Sequence, residues 1–428
     1  MAAASCPETK EAVGSPEAVT SSTPADAAPP DGGVRAWSQA LGSFVLYFST
    51  WGLVASFGTF QAIYEIDPKL QASPFQISVI GSLQTFLMVS LGLVTGPIYD
   101  AGYFRHLLTA GSVLVVVGTL LQSFCVSYWQ LLLAQGLAVG LGAGCLCLLG
   151  VVVPSLWFTR RLPVANAIAA SGSGIGGVVL PIMVREIHLR VGVGWASRSL
   201  CFVSLALLGL SNLILRDRRP PGKRKTRSLV DPAAFRDWPY LLFVLGCCVV
   251  FLGIYTPFVH IQSFSLQGDI ASPSLSLYIL SILNASSIPG RILPNLFTNR
   301  MGPLNMIIIT GLGLSASTFS LLAVSDLAPL LVVAVVFGFF TGTFFSLMPT
   351  IFVRLSPDPA MIGTRFGMAF AAMSVPLLFG PPIAGALLGK KAGYDGSWIW
   401  AGTVMAVGGV VILGSRILKA RVLSTQIL

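Results

Sequence analysis

Apolar stretches of roughly twenty residues recur along nearly the whole chain, separated by short polar turns. They fall at about 37–63, 75–98, 107–127, 129–153, 163–185 and 194–215, then at about 238–262, 275–298, 304–324, 328–352, 364–389 and 397–416. Each is long enough for a helix to cross a hydrocarbon layer of about 30 Å. They are too long and too uniformly apolar for the alternating strands of a membrane barrel. Backbone groups in lipid must be satisfied within their own segment, so the spans are predicted as helices. The expected class is an all-α membrane protein with twelve transmembrane helices. Counts of eleven or thirteen stay open, because segment ends are set only to within a few residues.

The repeat is broken once, by the polar and basic run RDRRPPGKRKTRSLVDPAAFR at 216–236. Six spans, a charged linker and six spans make an internal duplication of hydropathy, the pattern of two-bundle carriers. The expected division is a disordered tail at 1–34, a six-helix bundle at 35–215, a basic linker at 216–236, a second six-helix bundle at 237–417 and a tail at 418–428. The first 34 residues are rich in Ala, Pro, Ser and Glu and have no apolar core, which reads as a disordered tail and not as a signal peptide.

Composition narrows the class. Of 428 residues, 54% are hydrophobic and 10% charged, against about 25% charged in soluble domains. The net charge of +10 does not imply nucleic acid, because the basic residues are scattered over many interhelical turns. It reads as topology. With the N-terminus inside, the inner segments carry nineteen Lys and Arg and the outer loops six, so both termini and the linker are expected in the cytoplasm. Seven cysteines, an odd number and nearly all in or beside apolar spans, form neither a disulfide framework nor a zinc site. No Walker-type phosphate loop and no nucleophile–base or metal-ligand cluster is apparent. The expectation is therefore neither an enzyme nor a primary pump, with no cofactor and no metal.

The remaining basic residue, Arg291, falls inside the eighth span. A guanidinium near mid-membrane costs about 2.5–3.5 kcal/mol on insertion scales and does not shed its proton. No carboxylate sits in the core of another span to offset it, which makes an anionic cargo the candidate partner. The alternative is an arginine that snorkels to the interface or bonds backbone carbonyls. Asn284 and Ser287 precede Arg291 at i−7 and i−4, on the same helix face. With Tyr255 of span seven they complete the candidate substrate-binding set. Pro289 and Pro294 flank Arg291 and weaken the helix locally. Gln84, Gln135, Asn166 and His260 are weaker candidates, each more simply explained by helix–helix hydrogen bonds. Gly136, Gly140 and Gly144 form a packing stripe in span four. Gly172, Gly174 and Gly177 satisfy G-x-G-x-x-G, but no strand precedes them and no acid follows about twenty residues on, so they read as a close helix crossing.

Between spans two and three the chain reads Gly96-Pro-Ile-Tyr-Asp100-Ala-Gly102-Tyr-Phe-Arg105. This resembles the major facilitator signature G-x-x-x-D-x-x-G-R/K, with the second glycine one place early. The resemblance implies a conformational latch of Gly96, Asp100, Gly102 and Arg105 that holds the two halves together when the carrier faces outward. At the matching place in the second half Asn299 stands where the acid belongs, so that latch is expected to be weaker.

Further motifs narrow the resemblance. Pro30-Asp31-Gly32-Gly33 with Trp37 opens span one, Trp157-Phe158-Thr-Arg160-Arg161 runs into Ser171-Gly172-Ser173, and span eight reads Ser281-Ile-Leu-Asn284-Ala-Ser-Ser-Ile-Pro-Gly-Arg291. Over about residues 30–420 the chain resembles fungal monocarboxylate-transporter-like members of the major facilitator superfamily. That implies the major facilitator fold, alternating access and a small organic anion or carboxylate-bearing metabolite as cargo, in the plasma membrane. Two departures matter. In animal proton–lactate carriers an Asp lies one turn before the matching Arg, where this chain has Ser287. Their Lys in span one matches about Ala55. Proton coupling through an Asp–Arg pair is not supported, which leaves His260 and Glu65 as titratable groups able to relay protons. Export of a secondary metabolite is the first expectation. Uptake of a monocarboxylate or vitamin is the alternative, and a membrane sensor that moves nothing is a third reading. The oligomeric state is not fixed by the sequence.

Overall fold

Among the described residues all regular structure is helical. The computed structural model describes residues 30–67, 70, 72–158, 161–218, 230–276, 278–356, 362–388 and 393–423. Most of the expected N-terminal tail, the middle of the linker and the last five residues lie outside that set.

The first six helices are α1 (Val34–Ile66), α2 (Pro74–Tyr99), α3 (Phe104–Gln122), α4 (Tyr128–Trp157), α5 (Leu162–Val191) and α6 (Val193–Ile214). The next six are α7 (Trp238–Gln267), α8 (Ile279–Met301), α9 (Pro303–Ala323), α10 (Leu327–Leu355), α11 (Ile362–Leu388) and α12 (Gly393–Leu423). Eleven of them carry segments long and apolar enough to cross a membrane, and α8 does not. Its 23 residues span about 34 Å, so length is not the obstacle. Asn284, Ser286, Ser287, Arg291 and Arg300 dilute its hydropathy, and neighbouring helices cover that polar surface.

Local chemistry marks several boundaries. Ser73 caps α2 in a reciprocal capping box with Gln76, and Pro74 occupies the first turn. Asp237 caps α7 by accepting the Tyr240 N–H. Gly102, Gly192 and Gly302 make their turns at φ of 101°, 87° and 79°, a backbone region other side chains avoid. α1 breaks at Ser56, and α4 is π-helical over Leu132–Val139.

Helices α1–α6 pack on one another, as do α7–α12, and the two sets meet along α2/α11, α5/α8 and α1/α7. Each set has its own apolar core. Leu46, Phe60, Ile77, Leu108 and Leu146 anchor the first, and Phe243, Phe337, Phe344, Phe352 and Trp398 the second. Large apolar side chains such as Phe202, Leu213, Val332 and Val410 point outward, a surface that suits lipid and would be a liability in water.

The glycine stripes explain the tightest crossings. A Cβ on Gly136, Gly140 or Gly144 would press on Ile80, Gln84 or Leu91 of α2, whereas Gly142 faces Gly111 and Val115 of α3. In α5, Gly172 and Gly176 sit on the Phe44 and Phe48 carbonyls of α1, and Gly174 and Gly177 sit against Ile288 and Asn284 of α8. The second half repeats the device, with Gly338 and Gly342 of α10 against the Leu283 and Ser287 carbonyls of α8.

Candidate functional site

The face of α8 that carries Asn284, Ser287 and Arg291 is turned toward α5, so it lies on the seam between the two sets of helices. Asn284 donates to the Leu280 carbonyl of its own helix at 3.0 Å, and its Oδ1 rests on Gly177. Ser287 donates to the Asn284 carbonyl at 2.6 Å. Both side chains are buried, and both shape the helix crossing. Arg291, one turn farther along, reaches across the seam. Its Nη1 donates to the Ala170 carbonyl of α5 at 2.8 Å and to the Ser173 hydroxyl. The backbone-carbonyl contact of the alternative reading is therefore present. Arg291 as a whole residue is only partly covered, although its Nε is buried, and the Tyr47 and Tyr255 hydroxyls are within electrostatic range of it.

Those two tyrosines belong to an aromatic wall drawn from both halves. The Tyr47 ring lies over Gly150 of α4. The Trp51 indole lies beside Cys147 and stands 6.1 Å from the Phe345 ring. Phe345 in turn meets Tyr255 at 6.3 Å and Phe251 at 5.8 Å. Tyr47, Trp51, Cys147, Phe345 and Arg291 are all only partly covered although they lie in the middle of the molecule, so they line an internal space. Toward the end opposite the termini, Val54, Ser82, Thr85, Tyr255, Phe258 and Pro381 border a small cleft of about 20 Å³.

Beyond that cleft the two halves are closed on each other at the face distal to the termini. A Cβ on Gly58 of α1 would lie 2.2 Å from the Phe258 carbonyl of α7. Ser263 of α7 and Glu65 of α1 share a 2.6 Å hydrogen bond. Tyr278 donates to Glu186 of α5 at 2.9 Å. The sequence placed Arg185 in an outer loop. The structure continues α5 through it to Val191 and buries the side chain, paired with Glu186 and with its guanidinium 4.3 Å from the Tyr278 ring. Arg291 is thus not alone among arginines within the helices, and Arg185 is tolerated because an adjacent carboxylate and a π face compensate it. Toward the terminal face Val164 and Ile168 of α5 and Ile292, Leu293 and Phe297 of α8 are exposed.

The weaker candidates disperse. Gln135 accepts from Tyr64 within the first half at 3.1 Å, Gln84 packs against Gly140, Asn166 is exposed, and His260 is fully buried beside the Pro381 backbone. In the latch, Gly102 makes the turn as expected. A Cβ on Gly96 would meet open space, so close approach there is not used in this conformation. Arg105 donates to the Asn212 carbonyl of α6 at 2.5 Å, within its own half. The Asp100 and Asn299 side chains lie outside the described set.

Two clusters at the terminal face join residues far apart in sequence. The Asp31 N–H donates to the Trp157 carbonyl at 3.2 Å, Asp31 Oδ1 accepts from the Arg161 N–H at 3.4 Å, and Trp37 packs on Phe158 at 4.9 Å. The opening Pro-Asp-Gly-Gly motif and the Trp-Phe motif after span four are therefore two sides of one contact. The sequence did not signal the second cluster. Arg365 at the start of α11 donates from Nε to Asp231 at 2.8 Å and from Nη1 to Asp237 at 2.7 Å, and its carbonyl accepts from the Tyr240 hydroxyl at 2.7 Å. The Arg365 guanidinium beside Asp231 holds that carboxyl below the usual carboxylate range.

Known proteins share this arrangement. The Major Facilitator Superfamily profile matches residues 40–329 and 295–424. An MFS-type transporter, dbaD, of Emericella nidulans is 39% identical over 385 residues, covering 89% of this chain and 86% of the relative. The aspyridones efflux protein apdF of the same organism is 33% identical, with 91% and 79% covered. The fujikurins efflux protein of Gibberella fujikuroi is 33% identical, with 94% and 88% covered. Among solved structures, the nucleoside transporter NupG (D323A mutant) superposes with a TM-score of 0.70 at 15% identity, covering 88% of this chain and 99% of that one. That likeness is one of fold.

Proposed function

The chain belongs to the major facilitator superfamily and is a multi-pass secondary transporter, and from that premise we propose that it exports a carboxylate-bearing secondary metabolite by alternating access. The observation that carries this reading is Arg291, a partly covered residue inside the helix bundle with Tyr47 and Tyr255 as its electrostatic neighbours, on a wall to which both halves contribute. A planar cation suits a carboxylate, and the surrounding rings suit an extended apolar or aromatic body. Asn284 and Ser287 hold α8 in the register that presents Arg291. Relatives that carry aspyridones and fujikurins outward support export and a bulky cargo.

The same reading assigns the rest of the chain. Residues 35–215 and 237–417 form the two moving bundles, 216–236 links them in the cytoplasm, and the short tails lie on that side of the plasma membrane. The charge bias supports that orientation. The Pro-Asp-Gly-Gly contact with Trp157 supports placement in the monocarboxylate-transporter-like branch. Asp100 and Arg105 would engage across the halves when the terminal face closes, and the Asn299 site would engage more weakly.

A deletion strain tests the direction. An exported metabolite accumulates in the cells and disappears from the medium, whereas an imported one stays outside. The accumulated compound then tests the site. Arg291→Lys is expected to weaken its binding to purified protein by about tenfold, because the charge stays but the planar fork is lost. Arg291→Ala should abolish binding of the acid and spare its methyl ester. Equal binding of the acid by wild type and Arg291→Ala would overturn the assignment.

A further inference from the structure

Glu65 is a carboxyl group on the seam between the halves with no basic partner among the described residues. It projects from the last turn of α1 at the distal face. Gln61 Nε2 lies 2.5 Å from Oε1, and the Ser263 hydroxyl of α7 lies 2.6 Å from Oε2. The titratable groups around it are few. Tyr394 at the start of α12 is within electrostatic range, and its ring packs on Phe264. His260 lies one turn before Ser263 on α7 and is fully buried. On α1 itself, Tyr64 is engaged by Gln122 and Gln135, and Asp67 lies within electrostatic range of Tyr64 and of His188 of α5. Arg185 of α5 is paired with Glu186. The stretch of α2 from Pro74 to Ser90 carries no titratable side chain.

Two effects compete when the distal face closes over Glu65. An ionised carboxylate would accept both hydrogen bonds, and such charge-assisted bonds exceed neutral ones by about 1 kcal/mol each. Removing a carboxylate from water without a cation costs several kcal/mol, so that cost wins. The neutral acid also fits the contacts without loss. Its carbonyl oxygen accepts from Gln61, and its O–H donates to Ser263, whose hydroxyl is free to accept because hydroxyls rotate.

We propose that Glu65 is a proton-binding site that must be loaded for the distal face to close. One proton adds to the carboxylate while the halves are apart there, and the same proton then sits in the Glu65–Ser263 bond of the closed seam. The inference rests on the proposed orientation in one respect only. If the distal face is the outer one, the proton is taken up from outside, and loading Glu65 is the step that resets the empty exporter.

The test needs neither cargo nor sidedness. Full-length protein in lipid nanodiscs is followed by hydrogen–deuterium exchange, corrected for intrinsic rates, at about pH 8 and about pH 5, both above the titration of a free carboxyl at about 4. Exchange in 57–66 and 259–267 is expected to slow about tenfold on acidification, while exchange in 92–100 quickens as the terminal face opens. Glu65→Gln, which keeps the shape and both contacts, should be slow at the distal seam at either pH. Glu65→Asp should retain the pH response. A wild-type seam indifferent to pH overturns the proposal. So does a Glu65→Gln protein that follows wild type, or changes of the same sign at both faces, which would report stability and not a gate. A gate that responds to pH in a protein that imports its cargo would leave this site standing and refute only the export reading.

Discussion

At the scale of single residues, the arginines inside the fold differ in what offsets their charge. Arg365 is bridged by Asp231 and Asp237, Arg185 is paired with Glu186 and stacked on Tyr278, and Arg291 leans on an α5 carbonyl and a serine hydroxyl. The first arrangement reads as structural. Asp231→Asn should lower stability by about 1.5–3 kcal/mol, the usual loss for a charged hydrogen bond, and Arg365→Lys should lower it as well, because one ammonium cannot copy the Nε and Nη1 fork. The pH dependence has a definite sign. Asp231 is held below the ordinary carboxylate range, so its contribution is complete above about pH 4 and fades only as pH falls through the lower folded value. Thermal unfolding of wild type and Asp231→Asn should therefore differ by a constant amount from neutral pH to about pH 5 and converge in stronger acid. Divergence that grows on mild acidification would show that another group controls the cluster. Arg291 was legible in the sequence because a lone charge in an apolar run is conspicuous. Arg365 was not, because it sits at a helix end where basic residues are ordinary, and its partners lie more than a hundred residues away. Tyr47, Trp51 and Phe345 were invisible for a related reason. An aromatic residue in an apolar span looks the same whether it faces lipid, core or cavity.

At the scale of helices, glycines decide which contacts are rigid and which can separate. Gly172 holds α5 on α1 within one half, with a Cβ position 2.1 Å from the Phe44 carbonyl. Gly58 holds α1 on α7 across the halves, at 2.2 Å from the Phe258 carbonyl. Backbone cannot yield as a side-chain tip does. Gly172→Ala should therefore cost about 1–3 kcal/mol of stability as an overpacked core. Gly58→Ala has an escape, since the halves can part at the distal face, and should leave the melting temperature nearly unchanged while quickening exchange in 57–66. Gly209→Ala, in open space on α6, is the control and should be neutral or slightly stabilising. Equal melting losses for Gly58→Ala and Gly172→Ala would mean that the distal seam is as permanent as a core. The element boundaries were largely legible, because uniform apolar runs ended by Gly, Pro or charge leave little choice. The extension of α5 past Arg185 was missed because an arginine followed by Glu186 looks like the start of a loop, and only the Tyr278 ring on α8 makes it tolerable inside.

At the scale of the whole molecule, the critical helix is α8, because parity depends on it. Eleven helices are apolar enough to cross a membrane by themselves. Were only those to cross, the C-terminus would lie on the opposite side from the N-terminus. The structure instead threads α8 between α5 and α10, where Gly174, Gly177, Gly338 and Gly342 cover its polar surface. Its insertion should then depend on those neighbours and not on its own hydropathy. As an isolated segment in a translocon-insertion assay α8 should insert poorly, and Arg291→Leu should favour insertion by about 3 kcal/mol. In the full chain the same substitution should leave topology unchanged. Tags at the N-terminus, near Lys223 and at the C-terminus should all be protected or all accessible together, in wild type and in Arg291→Leu alike. A C-terminal tag on the other side from the N-terminal tag would mean that α8 does not cross. The seam with α5 that presents Arg291 to the cavity would then be lost, and the proposed cargo site with it.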